Sequence, residues 1–309
     1  MALPVVGIPA TGADSTLDAT VADGARVYNY LLGGKDNYAA DRAAGDALIE
    51  VYPDLVLSVR ANRAFLTRAV RYLAGEAGIR QFLDIGTGIP IVDNTHEIAQ
   101  AVAPACRVAY VDNDPVVLTH ARALLVSSPQ GATGYVDADL RDPGTVIAMA
   151  AGILDFSQPV AILLLAVLGL IGDDEAPHAV VASLMDAVPP GSYLVLSHVA
   201  SDIEPDKHHP VVRRYNELVH DKQTPRSHDE VLRFFGGLEM VDPGLVRVAE
   251  WRPYSGVGAQ APSARWAGVG RKRLHRRAGT EHDERAGLEA LPLCAGCHGA
   301  VPNGNGRPT

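Results

Sequence analysis

The chain has 309 residues, 47% hydrophobic and 20% charged, with a formal net charge of −9. That length buries a core of ordinary globular composition, and the acidic balance argues against holding nucleic acid by bulk electrostatics. Three cysteines, Cys106, Cys294 and Cys297, are too few for a disulfide scaffold. Residues 1–14 lack Lys, Arg and any sustained apolar run, so no secretory leader is expected. The longest strongly apolar stretch, 160–171, falls short of the roughly 20 residues of a membrane span, and a cytoplasmic protein is expected.

Residues 1–21 are small and polar and predict a flexible arm. Ala25, Val27, Tyr28 and Leu31-Leu32 predict a short helix stopped at Gly33-Gly34. Two further helices are expected over 36–52 and 55–74, separated at Pro53; in the second, Val59, Phe65, Leu66, Ala69, Val70 and Leu73 recur near a helical period. Strand and helix then alternate: strand 81–85, helix 95–102, strand 107–111, helix 115–125, and a short strand opening at Tyr135-Val136. A fourth strand at 160–165, a helix at 177–187 and a fifth strand at 193–197 continue the rhythm. Such alternation requires a mostly parallel sheet with helices on both faces. The apolar run Ala161-Ile162-Leu163-Leu164-Leu165 suits a strand buried on both sides. A polar segment with Asp202, Glu204, Lys207, His208 and His209 precedes helices at 211–220 and 227–235, the latter opened by a Ser227/Glu230 capping box. Residues 246–251 and 263–270 read as an antiparallel pair. From 272 to 309 the composition loses periodicity and predicts a disordered tail. One domain is therefore expected over 22–271, divided into a helical lid, 22–78, and a Rossmann-like α/β core, 79–271.

The first strand runs into Asp84-Ile85-Gly86-Thr87-Gly88 and then a helix, which places backbone amides at the carboxyl end of a strand, where open α/β sheets bind ligands. A dinucleotide wants a third glycine, but Ile91 occupies that place and Pro90 stiffens the turn. An acidic residue before the glycines suits a cationic or zwitterionic ligand such as S-adenosylmethionine. Asp112 follows Gly86 by 26 residues at the second strand's end, where a carboxylate can accept both ribose hydroxyls; Asp139, after the third strand, can reach an adenine amino group. The other reading makes these carboxylates helix caps.

Arg26-Val27-Tyr28-Asn29-Tyr30-Leu31-Leu32-Gly33-Gly34-Lys35-Asp36-Asn37-Tyr38 resembles the N-terminal signature of the actinobacterial S-adenosyl methyltransferase family. The likeness extends through Ala61-Asn62-Arg63-Ala64-Phe65, the glycine loop, Asn94-Thr95-His96-Glu97, Tyr110-Val111-Asp112-Asn113-Asp114-Pro115, Asp137-Ala138-Asp139-Leu140-Arg141-Asp142-Pro143 and Gly191 to His198, covering about 22–272. The resemblance implies a class I methyltransferase fold of seven strands, the last antiparallel, with S-adenosyl-L-methionine over the first, second and fourth strand ends. The cofactor set is then Asp84, Gly86, Thr87, Gly88, Asp112, Asn113, Asp139 and Leu140, with Tyr28 closing over the adenosine. Two departures bear on catalysis. Gly169-Leu170 stand where the family carries a His-Phe pair, and Ile89-Pro90-Ile91 replace Leu-Pro-Thr; both places are expected near the methyl group or the substrate.

Other residues carry two readings each. The segment Arg26 to Tyr38 is either a lid or a helical hairpin closed by an internal Lys-Asp pair. Asn94 and His96 either face the methionine carboxylate or belong to a helix cap shared with Glu97. His198 is either a general base or a structural histidine, and no other catalytic residue suggests itself. His208-His209 with Asp202 and Glu204 match no established metal spacing, so no metal is expected. Cys294-Ala295-Gly296-Cys297-His298 matches a haem-attachment pattern in a setting that does not support it. The function expected is methyl transfer to a small-molecule acceptor, with no membrane partner. The rivals are a non-catalytic S-adenosylmethionine-binding regulator and an NAD-dependent oxidoreductase.

Overall fold

A computed structural model describes residues 18–124, 127–254 and 262–273. The expected arm up to residue 17 and tail beyond 273, with its Cys294-Cys297-His298 motif, lie outside the described residues.

Three helices come first: α1 (Gly24–Leu31), α2 (Ala39–Val51) and α3 (Leu55–Gly75). Asp23 starts α1 by accepting the Ala25 and Arg26 amides, and Gly33, at φ 84, turns the chain after it. The second helix begins at Ala39 rather than 36, because Tyr38 is an extended N-cap whose amide bonds the Asp41 carboxylate at 2.8 Å. Asp41 is fully buried and also takes the Asp23 amide and, at 2.9 Å, the Arg26 guanidinium. The buried ion pair that closes the α1–α2 hairpin is Arg26–Asp41.

The sheet has eight strands: β1 (Gln81–Ile85), β2 (Arg107–Asp112), β3 (Ala132–Asp137), β4 (Ala161–Leu165), β5 (Tyr193–Val199), β6 (Leu238–Met240), β7 (Val246–Arg247) and β8 (Arg265–Lys272). Their order is β3-β2-β1-β4-β5-β8-β6, with β7 also on β8. The first five run parallel, and β8 pairs antiparallel with β5, β6 and β7. The count of seven is corrected to eight. The strand expected over 246–251 stops at Arg247 because the next carbonyls turn toward α3: Arg68 bonds Val248 O and Trp251 O, each at 2.7 Å. The three residues of β6 are too few to show an alternation.

Alternate strand residues feed two cores. Leu83, Val111, Ile162 and Leu194 pack under α6 (Pro143–Ala150) and α7 (Pro177–Asp186). Phe82, Val108, Leu163 and Val195 pack under α3 and α4 (Thr95–Val102). A further helix, α5 (Pro115–Leu124), joins β2 to β3. α8 (Pro205–Leu218) starts six residues before the expected 211 because Pro205 occupies its first turn, where a missing N–H costs nothing. His208 is thereby buried edge-on against Tyr52, and no metal-holding cluster of His, Cys, Asp or Glu occurs among the described residues. α9 (His228–Leu232) carries the expected Ser227/Glu230 box. Among the described residues no helix is long and apolar enough to cross a membrane.

Candidate functional site

The five parallel strands deliver their carboxyl ends to one edge. Gly86 and Gly88 leave β1 at φ 70 and 62, a region that costs other residues dearly. Val167, just after β4, fills the space that a side chain on Gly86 would need, so the loop after β4 is interlocked with the glycine loop. Asp112 closes β2. Its Oδ2 accepts the Gly88 amide at 2.9 Å and its Oδ1 the Asp114 amide at 3.1 Å, and each oxygen keeps a lone pair. Burial pushes its carboxyl up to about 6 against the pull of those amides.

Beside these groups lies a cleft of about 480 Å³, open mouth included, lined by Gly86, Asp112, Asn113, Asp139 and Leu140. Asn113 Nδ2 donates to Asp139 Oδ2 at 3.1 Å, tying the β2 and β3 ends together. Arg141 runs across the mouth: its amide and guanidinium hold Asp139, and Nη2 donates to Leu170 O at 3.0 Å. It is also paired with Glu175. The walls contributed by Val167, Leu170 and Ile171 are apolar.

Five of the nine expected cofactor residues thus share one cleft, and four do not line it. Asp84 sits beneath the loop, where it accepts the Thr95 hydroxyl at 2.6 Å; burial pushes its carboxyl up to about 6. Gly88 turns its amide into Asp112, and the Thr87 hydroxyl bends to the Gly88 carbonyl. The Tyr28 hydroxyl accepts Asn62 Nδ2 at 3.0 Å. Asn62 Oδ1 in turn accepts the Ser197 hydroxyl at 2.6 Å, and the Ala166 amide donates to the Ser197 hydroxyl at 3.1 Å. This buried chain links α1, through α3 and β5, to Ala166, a non-glycine residue at φ 61, a conformation that stores strain near functional sites.

His198 is fully buried, with both ring nitrogens engaged. Arg226 Nη1 lies 2.8 Å from Nε2 and can only donate, so the ring proton sits on Nδ1 and goes to Val199 O at 2.8 Å. Burial and the guanidinium hold its pKa down to about 4. It has no nitrogen to offer an acceptor, and the structural reading stands. Arg226 also bonds Leu168 O, Ile171 O and Asp173, which sets the loop after β4. Asn94 and Glu97 form the capping box, and His96 is buried against the Tyr110 hydroxyl. At Gly169, where a side chain would meet Gln223 Oε1 at 2.5 Å, the Thr224 amide bonds the glycine carbonyl; Leu170 lines the cleft beside Arg141. Arg141, Val167, Ile171 and Asp221 also line it and were not picked out. Only Arg141, within the Asp-Leu-Arg-Asp run, had a sequence signal.

The donor set fits a nucleoside carrying a sulfonium. A carboxylate and an amide at the β2 end suit ribose hydroxyls, Asp139 suits an exocyclic amine, and apolar walls suit the ring. Among the described lining residues the cation is Arg141, already paired with two carboxylates, so a pyrophosphate finds no free positive charge.

The sequence pattern of one family, described as S-adenosyl methyltransferase, matches residues 10–273. A solved DUF574 family protein from Streptomyces avermitilis MA-4680 is 43% identical; the match covers 82% of this chain and 99% of that one, with a TM-score of 0.80. A candidate methyltransferase from Thermobifida fusca YX is 42% identical over 86% of this chain and 100% of that one, with a TM-score of 0.77. No curated protein matches the sequence.

Proposed function

The chain belongs to the S-adenosyl methyltransferase family, and on that premise we propose that it methylates a small-molecule acceptor by in-line transfer, the acceptor lying over the β4 and β5 ends. It is a methyltransferase dependent on S-adenosyl-L-methionine. The observation that carries the site is the gathering of Gly86, Asp112, Asn113, Asp139 and Leu140 around one cleft.

When bound, S-adenosyl-L-methionine supplies an electrophilic methyl group on a sulfonium. The residues here bind, orient and exclude water, which is most of what such a displacement needs. Asp112 and Asn113 take the ribose hydroxyls, and Asp139 and Leu140 the adenine. Asp84 puts a carboxylate beneath the loop that faces the sulfonium and ammonium. Ala25 of α1 packs with Ile89, Val116 and Val117 at the loop, so 22–78 serves as the lid of a domain spanning 22–271. No general base is assigned, since His198 is enclosed. Calorimetric titration with S-adenosylhomocysteine and with NADH tests the reading: the homocysteine adduct binds and NADH does not. Tight NADH binding without the adduct would sink it.

A further inference from the structure

A charge without a partner lies where the lid meets the sheet. Arg265 opens β8 opposite Val199 of β5, next to Ala267 in the alternation that faces α3. Its Nη1 is enclosed and has no hydrogen-bond partner. No described carboxylate pairs with it, and the groups close enough to interact with its charge are the phenols of Tyr28 and Tyr215 and the rings of His198 and His208. Burial of the guanidinium lowers its pKa. The residue as a whole remains partly exposed, while its Nη1 end is closed off. A buried cation with no counter-charge is costly, and a position made only for packing would carry an apolar side chain.

The surroundings indicate what would meet that charge. Tyr28 accepts Asn62 Nδ2 and keeps its own hydroxyl proton to donate. From Tyr28 the Asn62–Ser197–Ala166 chain leads to the loop after β4, one residue short of Val167, which is locked against Gly86. A ligand touching both Arg265 and Tyr28 therefore lies beside the edge at which the methyl group is delivered.

We propose that Arg265, with Tyr28, receives an acidic group of the methyl acceptor, so that the acceptor is a carboxylic acid. This rests on the methyl-transfer reading above. One guanidinium and a phenol match the single charge and paired oxygens of a carboxylate; a phosphate dianion would call for a second cation.

The test uses benzoate and benzamide, which share shape and differ in charge, and follows thermal unfolding of the full chain with and without saturating S-adenosylhomocysteine. Benzoate raises Tm and benzamide does not; the rise is lost in Arg265→Met and partly kept in Arg265→Lys. The Arg265→Met chain binds S-adenosylhomocysteine within about twofold of the parent, and its ligand-free Tm stays within about 2 °C of the parent or above it. A benzoate response absent from the parent, or equal in Arg265→Met, overturns the proposal. So does S-adenosylhomocysteine binding about tenfold weaker in Arg265→Met, which would give the guanidinium to the cofactor's own carboxylate. If the parent fails to bind S-adenosylhomocysteine, the methyl-transfer reading falls, while the arm without it still reports on Arg265.

Discussion

Asp112 does two things with one carboxylate: it holds the Gly88 and Asp114 amides and presents its remaining lone pairs to the cleft. Asp112→Asn keeps one acceptor but turns an N–H toward a backbone N–H. Loss of a charged acceptor is worth about 1.5–3 kcal/mol, so affinity for S-adenosylhomocysteine should fall about 10- to 100-fold in calorimetry. An unchanged affinity would remove Asp112 from the ribose site. The same residue sets a pH dependence. Its carboxyl is raised by burial to about 6 in the ligand-free protein, and only the ionised form accepts two hydroxyls, so binding expels the proton. Affinity therefore rises with pH by about fivefold between pH 5 and 6 and by about twofold more up to pH 7, where it levels. Asp112→Asn flattens the curve. For folding the sign is opposite: the raised pKa of Asp84, also about 6, favours the folded state at low pH, and that contribution is lost as pH rises through 6. Asp84→Asn should remove this loss, read as a smaller drop in Tm between pH 4 and 7 than in the parent.

At the scale of elements, α1 has 8 residues, too few to be stable alone, so its place depends on the Arg26–Asp41 pair. Asp41→Ala leaves a buried guanidinium uncompensated, at a cost of about 3–5 kcal/mol. The loss should be local: amides of α1 exchange faster by mass spectrometry while those of β1 and β4 hold. Affinity for S-adenosylhomocysteine should drop with it; an unchanged affinity alongside a freely exchanging α1 would show that α1 does not cover the cofactor. That pair illustrates what the sequence could and could not reveal. β1 and α4 were legible to the residue, because an apolar run and a Thr-led helix each have a period to read. Arg26 and Asp41 stand 15 apart on different helices, and no periodicity marks such a contact. β6 and β7 were hidden or overextended for lack of length, and α6 for lack of a polar face: Pro143–Ala150 is nearly all apolar or small. In the site, the strand-end carboxylates could be found from spacing after strands. Arg226, Val167 and Asp221 could not, because only the fold brings each of them beside groups distant in sequence.

For the whole molecule, the cleft is assembled from the β1, β2, β3 and β4 ends and from Asp221 beyond α8, so a ligand bound there ties the segment after α8 to the edge of the parallel sheet. A ligand that binds the folded state alone stabilises it by about 2.7 kcal/mol at one hundred times Kd. For a domain of this size that is a rise in Tm of about 5–10 °C. Each further tenfold of S-adenosylhomocysteine adds about 1.4 kcal/mol without saturation, so Tm climbs steadily with the logarithm of concentration. In Asp41→Ala the climb should have the same slope from a lower start and be displaced to higher concentration, because the lid's ordering must then be driven by the ligand. A parallel climb with no displacement would mean that the sheet edge binds the cofactor by itself, and that the helices of 22–78 serve the acceptor alone.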